Sequence, residues 1–350
     1  MIRRTLLAVS IGCATLVSHP SPASAIPVFA HRYGLSCQAC HTTIPYLNDL
    51  GEAFLAAGYT LAGTKARASL PVAVKINLAY SSEPDPTGLP RAVVDEVEFL
   101  TGGHLGRNGS YFAEVYAVDG GRPGAMREAW YAQRAGALQA TLGQFTLPLP
   151  VDPETFRETS AHYAIYDQTV GANPFNFFDP RQGVSARFDR GTSGFTLAAL
   201  AGHEKQSGIA SHGIDRMISV HTKRGAFVAS AYRYDGDRLL ASGDDRFWRQ
   251  GIGLAYAGAR VRLDATVQNG NDAGLGTRSS GGFVQARYAF SAADTALVRY
   301  DGTSDTAFAR TLLVGMSHRV SRNARLTLEV TIAHAPTIKH TLNAGYLVAY

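Results

Sequence analysis

The 350-residue sequence predicts an all-β fold, a transmembrane antiparallel β-barrel of about sixteen strands, with a small α-helical domain at its N-terminus. Three observations predict it. From Leu70 onward, apolar and polar residues alternate with period two over stretches of about ten residues. The links between those stretches alternate between short turns and longer polar loops, and the last stretch ends on an aromatic residue, Tyr350.

The alternation is plainest in three places. Leu70, Val72, Val74, Ile76, Leu78 and Tyr80 interleave with Ala73, Lys75, Asn77 and Ala79. Val261, Leu263, Ala265 and Val267 interleave with Arg262, Asp264, Thr266 and Gln268, and Leu326, Leu328, Val330 and Ile332 with Thr327, Glu329 and Thr331. Such strands have one apolar and one wet face; in a membrane barrel the wet face lines the lumen. A mean hydropathy of -0.06 with 45% apolar residues fits interleaving, not long apolar runs. Past the N-terminus no stretch is long enough for a transmembrane helix.

Link lengths separate a membrane barrel from a soluble sandwich. Short links at Ser321–Ala324, Ser291–Asp294, Gly258–Ala259 and Lys223–Gly225 alternate with longer ones at Asn269–Gly281, Asp235–Asp245 and Gly202–Gly213. Outer-membrane barrels have that asymmetry, with turns in the periplasm and loops outside, and a terminal aromatic suits their interfacial girdle. The predicted spans are 70–80, 92–104, 110–119, 126–134, 137–147, 181–189, 194–202, 214–222, 226–234, 246–257, 260–268, 281–290, 294–301, 307–319, 325–333 and 340–350. The barrel is thus residues 70–350, with both termini periplasmic.

The stretch from Pro148 to about Arg181 is too long for a plain link. It holds Pro150, Pro153, Pro174 and Pro180 with Tyr163, Tyr166, Phe175, Phe177 and Phe178, and aromatic content of that kind argues against disorder. It is expected either to fold into or over the outer mouth as a constriction loop, or to pack on itself outside.

Residues 1–25 have the form of a signal peptide: Arg3 and Arg4, an apolar core from Leu6 to Val17, and the small-residue site Ala23-Ser24-Ala25. A lipoprotein reading of Ile11-Gly12-Cys13 fits less well, because Ser10 stands where a larger apolar residue is wanted. Cleavage removes Cys13 and lowers the formal charge of +5 by two. The small basic excess is spread along the chain, which gives no nucleic-acid signal.

Cleavage leaves two cysteines, both in Cys37-Gln38-Ala39-Cys40-His41. Two thiols at that spacing can be joined to the vinyl groups of one haem, and the histidine that follows can ligate its iron. A zinc site would want a second ligand pair and a redox Cys-x-x-Cys pair a βαβ surround; neither is present. Residues 26–64 therefore form a minimal monohaem module binding one covalent haem c. Pro45 can open its helix, Leu47, Leu50, Phe54 and Ala57 recur at helical spacing, and Gly58 can close it.

The run Ile26–His41, followed by Ile44–Phe54 and Gly58-Tyr59, resembles the N-terminus of the outer-membrane fused monohaem cytochrome c-porin family, which includes the iron oxidases of iron-oxidising bacteria. The sharp match covers about forty residues. The resemblance implies one c-type haem domain inserted in, or capping, a barrel of about sixteen strands, with ferrous iron as electron donor. His31 stands where the family usually has arginine, and the chain is shorter than the iron oxidases.

His41 is the expected proximal iron ligand. The segment Thr42–Tyr59 contains no Met or His, so a sixth ligand has to come from His31 or from the barrel. Strand parity turns Met217 and His221 toward the lumen; Met126, His104, His162 and His318 are weaker candidates. Glu83, Asp85, Asp119, Asp152, Glu154, Asp237, Asp244 and Asp245 fall in segments assigned to the outer mouth, where oxygen ligands would attract iron.

These features predict an outer-membrane electron conduit between an extracellular donor and a periplasmic carrier such as a soluble cytochrome c, with outer-membrane lipid around the barrel. Alternatives are a diffusion pore with the module as plug or redox gate, and a haem peroxidase with an open sixth position.

Overall fold

A computed structural model of the chain describes residues 28–43, 46–59, 61, 72–83, 88–153, 157–202, 211, 213–304, 310–335 and 337–349. The signal peptide, Pro45, Asp85, Glu154, Tyr350 and the side chain of His31 lie outside the described residues.

The N-terminal module consists of α1 (Val28–Tyr33), α2 (Cys37–Cys40), the paired strands β1 (His41–Thr43) and β2 (Tyr46–Leu47), and α3 (Asp49–Ala56). The wall then begins with β3 (Val72–Ser81), β4 (Ala92–Leu105), β5 (Gly109–Asp119), a two-residue β6 (Arg122–Pro123), β7 (Met126–Ala135) and β8 (Leu138–Phe145). After a short α4 (Ala164–Asp167) come β9 (Arg181–Arg190), β10 (Ser193–Ala201), β11 (Ile214–Arg224), β12 (Phe227–Leu240) and β13 (Gly243–Ala257). The last six are β14 (Val261–Asp272), β15 (Thr277–Ala289), β16 (Asp294–Thr303), β17 (Arg310–Arg319), β18 (Ala324–Ala335) and β19 (Thr337–Ala349).

Setting β6 aside, sixteen strands among the described residues close into one antiparallel barrel. Closure is made by β19 on β3, in the register Asn343↔Ser81 to Ala349↔Lys75. A closed sheet leaves no strand edge to face hydrocarbon, the condition for crossing a bilayer with strands. Each predicted span has its strand, with β12, β14 and β15 extending furthest beyond their predicted bounds.

Side-chain parity follows the sequence. On β14, Leu263 and Val267 are exposed while Asp264, Thr266, Gln268 and Asp272 are buried. On β18, Leu326, Leu328 and Val330 point out and Arg325, Thr327 and Glu329 point in. The outward band is apolar because lipid is its solvent; the inward groups are polar and meet partners inside.

Two expectations are corrected. The segments 235–245 and 269–281 are not loops: β12 and β13 run on to a tight turn at 241–242, and β14 and β15 to one at 273–276. Fifteen residues in β13 span about 50 Å of strand, about 38 Å of height at the usual tilt, against an apolar band of about 25 Å. The hairpins therefore stand clear of the membrane with polar residues on both faces. Asp237, Asp244 and Asp245 accordingly lie in strands, and Asp245 is fully buried. The module's helix also starts later than expected, at Asp49 with Asn48 as N-cap, so Leu47 falls in β2 and Leu50 is 41% exposed.

Candidate functional site: the N-terminal turn and the lumen

Cys37 and Cys40 lie three apart on the single turn α2, which puts both sulfurs on one side of it. They are not bonded to each other. Cys37 is 2% exposed, and burial pushes both thiols above the ordinary range. His41 caps the turn, its N–H donating to the Cys37 carbonyl.

Asn48 ties this turn to α3. Its Nδ2 donates to the carbonyls of Gln38 (3.2 Å) and Ala39 (3.0 Å), and its Oδ1 accepts from Gly51 N (3.0 Å). One side chain thus satisfies carbonyls at the end of α2 and caps the next helix. Gly51 lets the two elements touch, since a Cβ there would overlap the Cys40 carbonyl oxygen.

The module sits inside the short-turn end of the barrel, held from several directions. Glu52 pairs with Arg262 of β14 (2.8 Å), which also holds Asp264 (2.9 Å). Tyr46 donates to the other Asp264 oxygen (3.3 Å), and the Arg287 guanidinium lies 4.6 Å over its ring. Lys223 reaches Asp49 (3.3 Å), Arg134 donates to Ala56 O (3.0 Å), and Gln38 donates to Arg322 O in the β17–β18 turn (3.3 Å). On the β4–β8 side the anchor is aromatic: Tyr59 stacks on Phe29 (4.6 Å) and on Trp130 (5.7 Å), with Phe54 and Phe112 against it. Such ring pairs contribute about 0.5–1.5 kcal/mol each beyond their buried area.

Residues 146–153 and 157–180 run inside the barrel and pack against both the module and the wall. Tyr163, Ile165, Tyr166, Phe175 and Phe177 are almost fully buried, in one apolar core with Tyr46 of the module and Tyr232, Tyr234, Phe247 and Phe283 of the wall. This is a constriction loop folded inward; the alternative of a loop packed on itself outside is overturned. Polar anchors fix its path: Arg299 donates to the carbonyls of Ala161 (2.9 Å) and His162 (2.8 Å), Glu158 pairs with Arg287 (2.8 Å), and Asn173 bridges Asp245 (2.9 Å) and Asp272 (3.0 Å).

Of the ligand candidates, Met217 and His221 do face inward on β11. Met217 is buried in the core that contains Tyr46, while His221 Nε2 lies 3.3 Å from Asp189. Met126 is half exposed on the lipid side, and His318 faces outward, paired with Asp294. His162 stacks on Phe178 and pairs with Asp167. His104, weighted low from sequence, is set against the module, 6.2 Å from the Tyr33 ring. The arginines that pin the loop were missed, because inward parity marks a strand position and does not name its partner across the lumen.

The donor set suits a covalent haem: two thiols not bonded to each other on one turn, and a histidine immediately after.

No family model matches the sequence, and no curated protein matches it. Solved structures do resemble the fold. An anion-selective porin from Comamonas acidovorans superposes with a TM-score of 0.64 at 13% identity, covering 81% of this chain and 99% of that one. The outer-membrane channel DcaP of Acinetobacter baumannii gives 0.61 at 14%, covering 83% and 100%. OmpF of Salmonella typhi, in complex with daunomycin, gives 0.60 at 11%, covering 80% and 96%. With that likeness, its closed sixteen-strand sheet and its outward apolar band, the chain has the porin fold, a closed antiparallel β-barrel with an apolar outer face.

Proposed function

We propose that the protein is an outer-membrane electron conduit, carrying single electrons between an extracellular donor and a periplasmic carrier through one haem bound at Cys37, Cys40 and His41. One observation carries the reading: the only two cysteines of the sequence after Cys13, followed by His41, sit on a turn held inside one end of a barrel, with residues 157–180 packed in the lumen beside it. In that setting the cysteines would hold the haem, His41 would ligate its iron, and the bound haem would supply reversible one-electron chemistry. The chain's own residues enclose the site: Asn48 fixes the turn, Glu52–Arg262 and Tyr46–Asp264 anchor the module, and the loop excludes bulk water. Ferrous iron is the donor that the family resemblance implies.

The porin neighbours favour a second reading, a diffusion channel with the module as plug or redox gate. The two separate in sealed vesicles carrying purified holoprotein. The conduit predicts that Fe(II) added outside reduces an internal acceptor and changes the haem absorbance, with little ion conductance. The channel predicts solute conductance and no haem response to external iron.

A further inference from the structure

One polar group in the lumen stands apart from the pairs around it. Arg325 is the second residue of β18, faces inward, and is 8% exposed. Its Nε and Nη1 are buried without a hydrogen-bond partner among the described residues. The carboxylates that act on it, Glu158, Glu329 and Glu96, are all engaged elsewhere. Glu158 gives both oxygens to Arg287 (2.8 and 3.3 Å). Glu329 accepts from Ser160 N and Asn343 Nδ2, each at 3.1 Å. Glu96 lies 3.8 Å from Lys75 and 3.9 Å from Arg157. Lys75, Arg157, Arg287 and Arg325 balance Glu96, Glu98, Glu158 and Glu329 in charge, so what is unmet here is hydrogen bonding. A guanidinium offers a planar fork that matches a carboxylate, and leaving it unpaired in a buried site is costly.

Two neighbouring pairs relate Arg325 to the module. It follows the turn whose Arg322 carbonyl accepts from Gln38, the residue after Cys37. Glu158, whose charge acts on Arg325, is locked to the Arg287 guanidinium that covers the Tyr46 ring. At about 3.3 Å per residue, the backbone of Arg325 begins within about 10 Å of the residue that Gln38 touches.

We infer that Arg325 holds a carboxylate of the group joined to Cys37 and Cys40, a propionate of the covalent haem. The inference rests on the electron-conduit reading and adds a positioning residue to it. The test uses holoprotein with Arg325 intact, R325Q and R325K, each checked for barrel folding by heat-modifiable gel mobility and for haem content by pyridine haemochrome. Resonance Raman spectra of the propionate bending modes and a redox titration are then compared. In R325Q, loss of the cation disfavours the added electron, so the ferric-to-ferrous equilibrium moves toward ferric by about tenfold, 59 mV for a one-electron couple, and the bending mode shifts. R325K keeps the charge but not the fork, so the potential is largely restored while the bending mode stays shifted; this variant carries the test if R325Q does not fold. Haem at full stoichiometry with propionate modes unchanged in R325Q, or in R325K if R325Q does not fold, overturns the assignment to Arg325 alone, whereas absence of haem from the unaltered protein overturns it together with the conduit.

Discussion

Gly51 and Cys37 carry much of the site between them. Because any side chain at Gly51 meets the Cys40 carbonyl, Gly51→Val should push α3 off the cysteine turn at a cost of about 1–3 kcal/mol. The readout is maleimide labelling of Cys37 in haem-free protein. In the unaltered chain labelling should be slower than for free cysteine at pH 8, since burial raises the thiol's pKa and so reduces the thiolate present at a given pH. The rate should climb as pH rises further, and Gly51→Val should bring it close to that of free cysteine at pH 8. The Cys-x-x-Cys-His spacing was legible in the sequence because the chemistry is local. Asn48 and Gly51 were not, since what they do depends on which carbonyl lies opposite them after folding.

Among the elements, the loop 146–180 is the part most exposed to experiment. Asn173 keeps two buried carboxylates, Asp245 and Asp272, supplied with donors, alongside Gly274 N on one and Arg249 on the other. Asn173→Ala should cost about 2–3 kcal/mol of loop stability, seen as new flickering openings in planar-bilayer recordings. Removing residues 152–178 should go further and give a steady conductance; a recording as quiet as that of the intact protein would mean the lumen is blocked by the module alone. The aromatic residues announced this loop, because a disordered segment has no use for so many rings. The strands beside it were less legible at their outer ends. At Asp235–Asp245 the residues turn polar where the strand leaves lipid, yet hydrogen bonding between β12 and β13 continues to Leu240↔Gly243. Polarity marks the edge of the membrane, not the end of the ladder.

On the scale of the whole barrel, the period-two pattern fixed nearly every strand because one face must satisfy lipid and the other the lumen. Val267 is 62% exposed on the outward face of β14. Val267→Arg should therefore destabilise the barrel by about 2–4 kcal/mol, measured by denaturant unfolding in lipid vesicles. Neighbouring Gln268 points inward, where it donates to the Ile165 carbonyl and accepts from Tyr232. Gln268→Leu should leave the membrane face untouched and loosen the loop instead, so the two variants separate bilayer energetics from lumen packing. The long-range contacts that seat the module, such as Tyr46 to Asp264, join residues more than two hundred positions apart, and no local pattern encodes them.

The pairing of the last strand with the first has a bearing on biogenesis. Cys37 is buried and the module is wedged among residues drawn from β4 to the β17–β18 turn. Once that seam is zipped, the Cys37 sulfur is covered by its surroundings. On the conduit reading, a haem would therefore have to be joined to the N-terminal turn before the barrel closes around it.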